Sequence, residues 1–557
     1  MKRLHAAAIA VLITASPFLT AGVASATTPG SIWNSSVPFT NVVASSPTTG
    51  GGYPVPPGSR VPEAGTCRAG PFDANHSESW LAVKPGTEDL VGTSKFFFDR
   101  YSTFYMFYLG ALQILGGTPS GNNQVQGYEC TSTGTQDMPP SWTQTTDPNA
   151  DFDTKGRVYQ TMLPFNSFFD ATRLHPDGEI DISFSDDMGR HWVKGNGGVP
   201  LEPPNNASAK QLGHVEDKQW VAVNHIVGNK FQDHVYAAWA VFNGQSIKVR
   251  MAVSRDRGQT FAKAVTISAP SDVGPGVTSV YPEIDAAGNV YVSVVSFPPN
   301  GGSHTIYVAR STDDAQTFSP FVPVTTVTIP PGEVYPNTRF RSGIVENFAA
   351  SPTFPGHVYL TYEDWDGVQS DVKFTQSTDG GATWTTPAVV NDNVDAPGAP
   401  TDQFQPSVAA GPNGAVAVAF YDRRRPCPND PSVLPADVRR TNFCIDTSLQ
   451  AYKDSGSGAV PVGSNARISQ FTWDPEQPGQ HLGGLSQYPC AGGTDPCARG
   501  GGFIGDYFAL AISKGNIYAL MVSTHYPSDV TADEGGPVYY QQQVLATVAR
   551  TGVSTDY

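Results

Sequence analysis

The chain is poor in charge. Asp, Glu, Lys and Arg make up 15% of its 557 residues. The charge it has is lopsided, with 50 acidic residues against 34 basic ones and a formal net charge of −16. A basic footprint is therefore missing, which excludes nucleic acid as a partner. Sustained helical periodicity with caps at both ends is also missing, so long amphipathic helices are excluded. No stretch beyond the N-terminus is long and apolar enough to span a bilayer. There are only six cysteines, none in CxxC spacing, and no His pair has ligand spacing on a shared element. Zinc is not expected.

Turn formers are abundant, with 56 Gly and 47 Pro. Short Val/Tyr/Ala-rich runs alternate with Gly, Pro, Asn and Asp clusters throughout, which is an all-β pattern. The N-terminus has Lys2 and Arg3, then an apolar run broken by Pro17, then Ala24-Ser25-Ala26. That order describes a secretory signal peptide over residues 1–26, cut after Ala26. The expected product is exported, extracellular or periplasmic, with no membrane span. In an oxidising compartment an even cysteine count suggests disulfides. Proximity in sequence pairs Cys490 with Cys497 and Cys427 with Cys444, leaving Cys67 with Cys130. Six cysteines allow about 15 connectivities.

One line recurs four times: Ser-x-Asp-x-Gly-x-x-aromatic. Its copies are Ser185, Asp187, Gly189, Trp192; Ser254, Asp256, Gly258, Phe261; Ser311, Asp313, Ala315, Phe318; and Ser377, Asp379, Gly381, Trp384. The serines stand 69, 57 and 66 residues apart, room for about four strands. The logic of the line is local. A short polar side chain bonds backbone N–H groups further on, Gly supplies a positive φ, and the aromatic pins the hairpin to its sheet. In the third copy Ala315 replaces the glycine, so that turn is expected to be strained or differently shaped.

A second pattern runs in phase with the first: a strand, a Gly/Asn/Pro turn, and a Tyr/Val strand. It starts near Ser77, Asp151, Asp217, Tyr281, Ser342, Phe404 and Gly505, giving seven units. The second to fifth carry the Ser-x-Asp turn. The sixth has a remnant at Asp454-Ser455-Gly456. Four-strand repeats of this length imply propeller blades. The last unit lacks a final strand, which the segment from Ser31 can supply to close the ring and remove a free edge. The expected organisation is residues 27–75 as N-terminal strand and Gly/Pro-rich linker, and 76–557 as one six- or seven-bladed propeller of four-stranded antiparallel blades. Residues 426–502, with four cysteines, form a surface insert.

The four Ser-x-Asp lines, together with "DKQWVAV" and "FIGDYFALA", resemble the Asp-box or BNR repeats of secreted bacterial sialidase-like propellers. The resemblance covers roughly His76 to Ala549. It implies that Asp187, Asp256, Asp313 and Asp379 are structural and lie away from the active face. It also implies an extracellular glycan or glycoprotein as partner, and glycoside hydrolase chemistry. True sialidases have six blades, an Arg-Ile-Pro motif, three arginines on the substrate carboxylate, a Tyr–Glu nucleophile pair and an Asp acid/base. This chain has seven units and no Arg-Ile-Pro.

Propeller sites lie where the innermost strands begin. The residues there are Glu78, Asp217, Tyr281 with Glu283, Arg341, Gln405, and Asp506 with Tyr507. Arg339 with Arg341, and Arg423 to Arg425, are the main cation clusters and could grip a carboxylate. Tyr281 with Glu283, or Tyr421 with Asp422, could act as nucleophile and base. As catalytic candidates we take Tyr281, Glu283, Arg341, Tyr421, Arg423 and Asp506. As substrate-binding candidates we take Glu78, Asp217, Arg339 and Gln405. Each has a plainer alternative: buried polar groups commonly bond one another or water. The carboxylates Glu78, Asp217, Glu283 and Asp506 could instead hold Ca²⁺; otherwise no cofactor is expected. Two functions follow. One is a secreted, monomeric, sialidase-like glycoside hydrolase. The other is a non-catalytic propeller that binds a glycan, protein or cell-surface partner.

Overall fold

A computed structural model describes residues 33–34, 36–45, 53–54, 67–68, 75–97, 107–124, 144–166, 177–204, 215–243, 246–267, 273, 276–296, 304–338, 340, 346–477, 503–531, 535–555 and 557. The expected signal peptide and most of the expected linker lie outside these residues. So do Cys130, Cys490, Cys497, Arg339 and Arg341.

Seven antiparallel sheets form a seven-bladed propeller. Their inner strands include His76–Val83, Asp151–Phe152, Val215–Val223, Val277–Ile284, Asn347–Ala350, Gln403–Ala410 and Ala509–Ile512. The last blade is closed by the N-terminus. Phe39–Val43 pairs antiparallel with Gln542–Ala549, with Phe39 opposite Val548 and Val43 opposite Val544. Trp33, just upstream, is pinned to the sixth blade, where its Nε1 donates to Ser448 Oγ at 2.5 Å.

The insert is smaller than expected. Within residues 426–502, Asp446–Asp454 and Ala459–Arg467 are the third and fourth strands of blade six. Their apolar inward faces (Leu449, Ala451, Ala466) pack into the core, which a surface excursion would not do. The excursion before them, 426–445, is stapled by Cys427–Cys444, as expected. The expected Cys67–Cys130 and Cys490–Cys497 pairings involve residues outside the described ones.

The four Ser-x-Asp turns each join the third and fourth strands of a blade. In each the serine hydroxyl donates to Asp Oδ1, at 2.7–2.8 Å, and receives the N–H of the residue four positions on. The Asp also receives the N–H of His191, Thr260, Thr317 or Thr383 at 2.8–2.9 Å. Ala315 preserves this shape and adopts φ +57° to do so. The turn is thus strained, with the same bonds as its siblings. In blade six the remnant Asp454 receives Gly456 N–H at 2.7 Å. It also ties to the neighbouring blade through His357 Nδ1 at 2.6 Å and the Tyr359 hydroxyl at 2.7 Å. Because strands alternate in direction, these turns sit at the end of the channel opposite the start of the inner strands.

Candidate functional site at the channel mouth

Four of the inner strands enter their blades through the same irregularity. The register with the second strand slips between Ser77 and Trp80, Asp217 and Trp220, Thr278 and Tyr281, and Phe404 and Ser407. At each slip one residue has a left-handed backbone: Glu78 (φ +48°), Lys218 (+50°), Ser279 (+58°) and Gln405 (+43°). Asp147 (+57°) and Gly505 (+100°) occupy the corresponding places in blades two and seven. At Gly505 a Cβ would come within 2.8 Å of Glu78 N, so glycine is required there. A non-glycine residue in this region costs about 1–2 kcal/mol. Such bulges turn side chains toward the channel axis and are common beside active sites.

Two residues beyond the slip stand Trp80, Trp220, Tyr281 and Tyr507. Trp220 packs edge-on against Trp80 at 4.6 Å, Tyr281 at 4.7 Å and Tyr507 at 5.3 Å between ring centroids. These rings form an aromatic floor across the channel. Above it lie the charges. Lys95 Nζ pairs with Glu78 Oε2 at 2.5 Å. Lys218 Nζ stands 3.6 Å from Asp147 Oδ1, 3.9 Å from Asp506 Oδ2 and 4.8 Å from the centre of the Tyr507 ring. Lys218 N–H donates to Asp147 Oδ2 at 3.1 Å. Gln405 donates its N–H to Glu363 Oε2 at 2.7 Å and its amide to Gly505 O at 2.6 Å.

Burial drives the titration of this cluster. It pushes Asp217 up to about 7, with Asp147 adding to the effect by charge and hydrogen bond. It pushes Glu346 up to about 8 although Ser293 Oγ donates to it at 2.9 Å, and Glu363 up to about 7. Glu78 is raised by burial against the pull of Lys95. Lys218 remains an ammonium, because Asp147, Asp506, Glu78 and Asp217 outweigh its burial. The hydroxyls of Tyr281 and Tyr507 are buried without a hydrogen-bond partner among the described residues. The mouth therefore combines a proton-holding carboxyl, lysine-bound carboxylates, idle hydroxyls and an aromatic floor.

Of the expected ring, Glu78, Asp217, Tyr281, Gln405 and Asp506 belong to this mouth. Glu283 does not. It lies below the floor and lines a separate cavity of about 430 Å³ with Asp151 and His225. Burial and the charge of Asp151 push it up to about 8. Tyr281 and Glu283 thus stand on opposite sides of the aromatic layer. Arg423 is fully buried, held by Asp402 Oδ2 at 3.0 Å and by the carbonyls of Pro336 and Asn442. Tyr421 stacks on Phe508 at 4.6 Å and accepts Val522 N–H at 3.1 Å. Both belong to the packing of blade six, where a strand buried on both faces leaves no open surface. Arg339 and Arg341 lie outside the described residues. Of the four carboxylates weighed for Ca²⁺, Glu283 lies apart from the other three. Glu78 and Asp506 face lysines, and among the described residues no group of three or more His, Cys, Asp or Glu side chains is placed to hold a metal ion.

Asp147, Lys218, Lys95, Glu346 and Glu363 were missed by the sequence reading. Asp147 had a usable signal: it precedes Asp151 by four residues, as Glu78 precedes Ala82 and Lys218 precedes Ala222.

No family model matches the chain, and no curated protein does. Solved structures do. One is a protein of unknown function from Dyadobacter fermentans, 13% identical, covering 63% of this chain and 91% of its own, with a TM-score of 0.41. Another is the alpha-L-arabinanase of Penicillium chrysogenum complexed with arabinobiose, 14% identical over 72% of this chain and 92% of its own, at 0.36. A third is the NanB sialidase of Streptococcus pneumoniae, 11% identical over 86% of this chain and 70% of its own, at 0.36. What the mouth does must be read from its own residues.

Proposed function

We propose that the chain is a propeller that processes extracellular glycans at the channel mouth, as a glycoside hydrolase acting alone as a monomer. The observation that carries this is the group of carboxyls around Lys218: Asp217 with Asp147 beside it, and Asp506 from another blade. Glycoside cleavage needs one carboxyl that holds a proton near neutrality and one that has lost it. Asp217, held to about 7 by burial and by Asp147, suits the acid that protonates the leaving oxygen. Asp506, facing Lys218 Nζ from another blade, suits the second carboxyl, the base that activates water. No resident metal is required for these steps.

A neutral sugar fits better than a sialoside. Glu78, Asp147, Asp217 and Asp506 outnumber Lys95 and Lys218. The described groups of the cluster include no arginine to grip a carboxylate. The second reading, a non-catalytic binding propeller, is favoured by the lysine pairing of Glu78, which engages one oxygen of that carboxylate.

The test is a panel of fluorogenic glycosides, including arabinosides, galactosides and an α-sialoside, given to the full chain and to Asp217→Asn. Cleavage of a neutral glycoside that Asp217→Asn abolishes supports the hydrolase. Silence from folded protein across the panel moves the reading to binding.

A further inference from the structure

A second cavity, of about 420 Å³, opens on blade six away from the channel. Its size falls in the small-molecule range of roughly 300–1,000 Å³. It lies between the 393–401 segment, which leads into the inner strand of blade six, and Arg424-Arg425, which follow its second strand. Both connections are at the end where inner strands begin. The cavity therefore shares a face with the mouth.

The segment is stiffened from within. Thr401 donates its N–H to Asp395 Oδ2 at 3.1 Å and its hydroxyl to Asp395 Oδ1 at 2.7 Å. Asn393 Nδ2 donates to the same Oδ1 at 3.1 Å and to Thr401 Oγ1 at 3.1 Å. Asp395 thereby turns its charge back into its own loop. Trp33, Ala396 and Ala399 supply apolar wall.

The arginines differ from one another. Arg423 is sealed inside the blade with Asp402. Arg424 is neutralised by Asp422 at 2.7 Å and Asp392 at 2.8 Å. Arg425 is exposed, 5.9 Å from the Trp33 ring centre, and has neither ion pair nor hydrogen bond to a described residue. In a chain of net charge −16, an exposed guanidinium without a carboxylate partner among the described residues, on the rim of a preorganised, mostly apolar cavity, is available to an anion. Its planar donors match a carboxylate.

We propose that this cavity is a subsite for a carboxylate-bearing sugar unit, with the acid group on Arg425 and the apolar face of the ring against Trp33, Ala396 and Ala399. This rests on the glycan reading of the mouth and adds an acidic-sugar preference on the same face. Neutral units would be handled at the channel and charged units held outside it.

The experiment is calorimetry of the full chain with tri-galacturonate and with neutral galactotriose, at low and at raised salt. The expected result is at least tenfold tighter binding of the acidic trimer, weakened by salt. Arg425→Gln should erase the preference. Ala399→Trp, which fills the cavity, should erase binding of the acidic trimer. Both positions are exposed, so folding should be unaffected, and circular dichroism checks it. Equal binding of the two trimers, no binding of either, or an acid preference that survives Arg425→Gln overturns the proposal. Cleavage of small neutral glycosides by Arg425→Gln should equal that of wild type. Loss of cleavage in Asp217→Asn with intact trimer binding separates failure at the mouth from failure here.

Discussion

The Ser-x-Asp turns and the channel mouth are built from the same residue type and give it opposite chemistry. Asp187, Asp256, Asp313 and Asp379 all titrate below the ordinary aspartate range. For Asp313 and Asp379 the hydroxyls of Thr317 and Thr383 lead the effect. For Asp187 and Asp256 burial pulls upward, and the bonds from His191 and Thr260 outweigh it. At the mouth burial dominates, and Asp217, Glu346 and Glu363 are raised instead. The turns repeat because blades repeat, and each is complete in itself. The mouth is asymmetric, since the four bulged blades place different residues, Glu78, Lys218, Ser279 and Gln405, at the same position. Repetition here marks structure, and the broken repetition marks the place where chemistry can occur.

The largest expected effect breaks that comparison at the mouth. On a substrate found in the glycoside panel, Asp217→Asn should lower kcat by about 10²- to 10⁴-fold, the usual worth of a general acid. Its melting temperature should not fall. Asp379→Ala, the contrasting change at a turn, should leave kcat unaltered. It should cost about 1–2 kcal/mol through lost hydrogen bonds to a charged group, read by urea unfolding.

The next prediction uses pH. Glu346 holds its proton in the native state up to about 8, where the unfolded chain has lost it. The native state then binds more protons, so stability falls as pH rises from the ordinary glutamate range toward 8. Glu346→Gln should therefore melt progressively higher than wild type between about pH 4.5 and 8. The gap should close at lower pH. Asp379→Ala should show the reverse sign: its deficit is present above the ordinary aspartate range and fades as acid protonates Asp379 in wild type. Thermal melts across this range check both. A gap for Glu346→Gln that is flat with pH would remove the distinction between the regions.

The smallest effect sharpens the comparison among the turns themselves. Ala315→Gly should stabilise by up to about 1 kcal/mol, by relieving a left-handed alanine at φ +57°. The gain is limited because glycine also loosens the unfolded chain. Gly258→Ala, at φ +81° and with a would-be Cβ 2.8 Å from Tyr159 Cε1, should destabilise.

Seven blades, the N-terminal strand that closes the last one, the four self-contained turns and the Cys427–Cys444 staple were all legible in the chain. Each is encoded by neighbours in sequence or by a period, and short-range hydrogen bonds and alternating apolar faces need no distant partner. The roles of the charged residues were not legible in this way. Arg423, Arg424 and Arg425 are consecutive, yet one is sealed, one neutralised and one free, because the strand end turns each toward a different neighbour. Tyr281 and Glu283 are two residues apart, yet an aromatic floor made by three other blades divides them. Asp217 meets Asp147 from 70 residues away and draws its proton affinity from that meeting. Local sequence determined the turns and the ring. Burial and cross-blade proximity exist only once the ring is closed, so the tertiary structure alone decided which acids hold protons and which cations remain available.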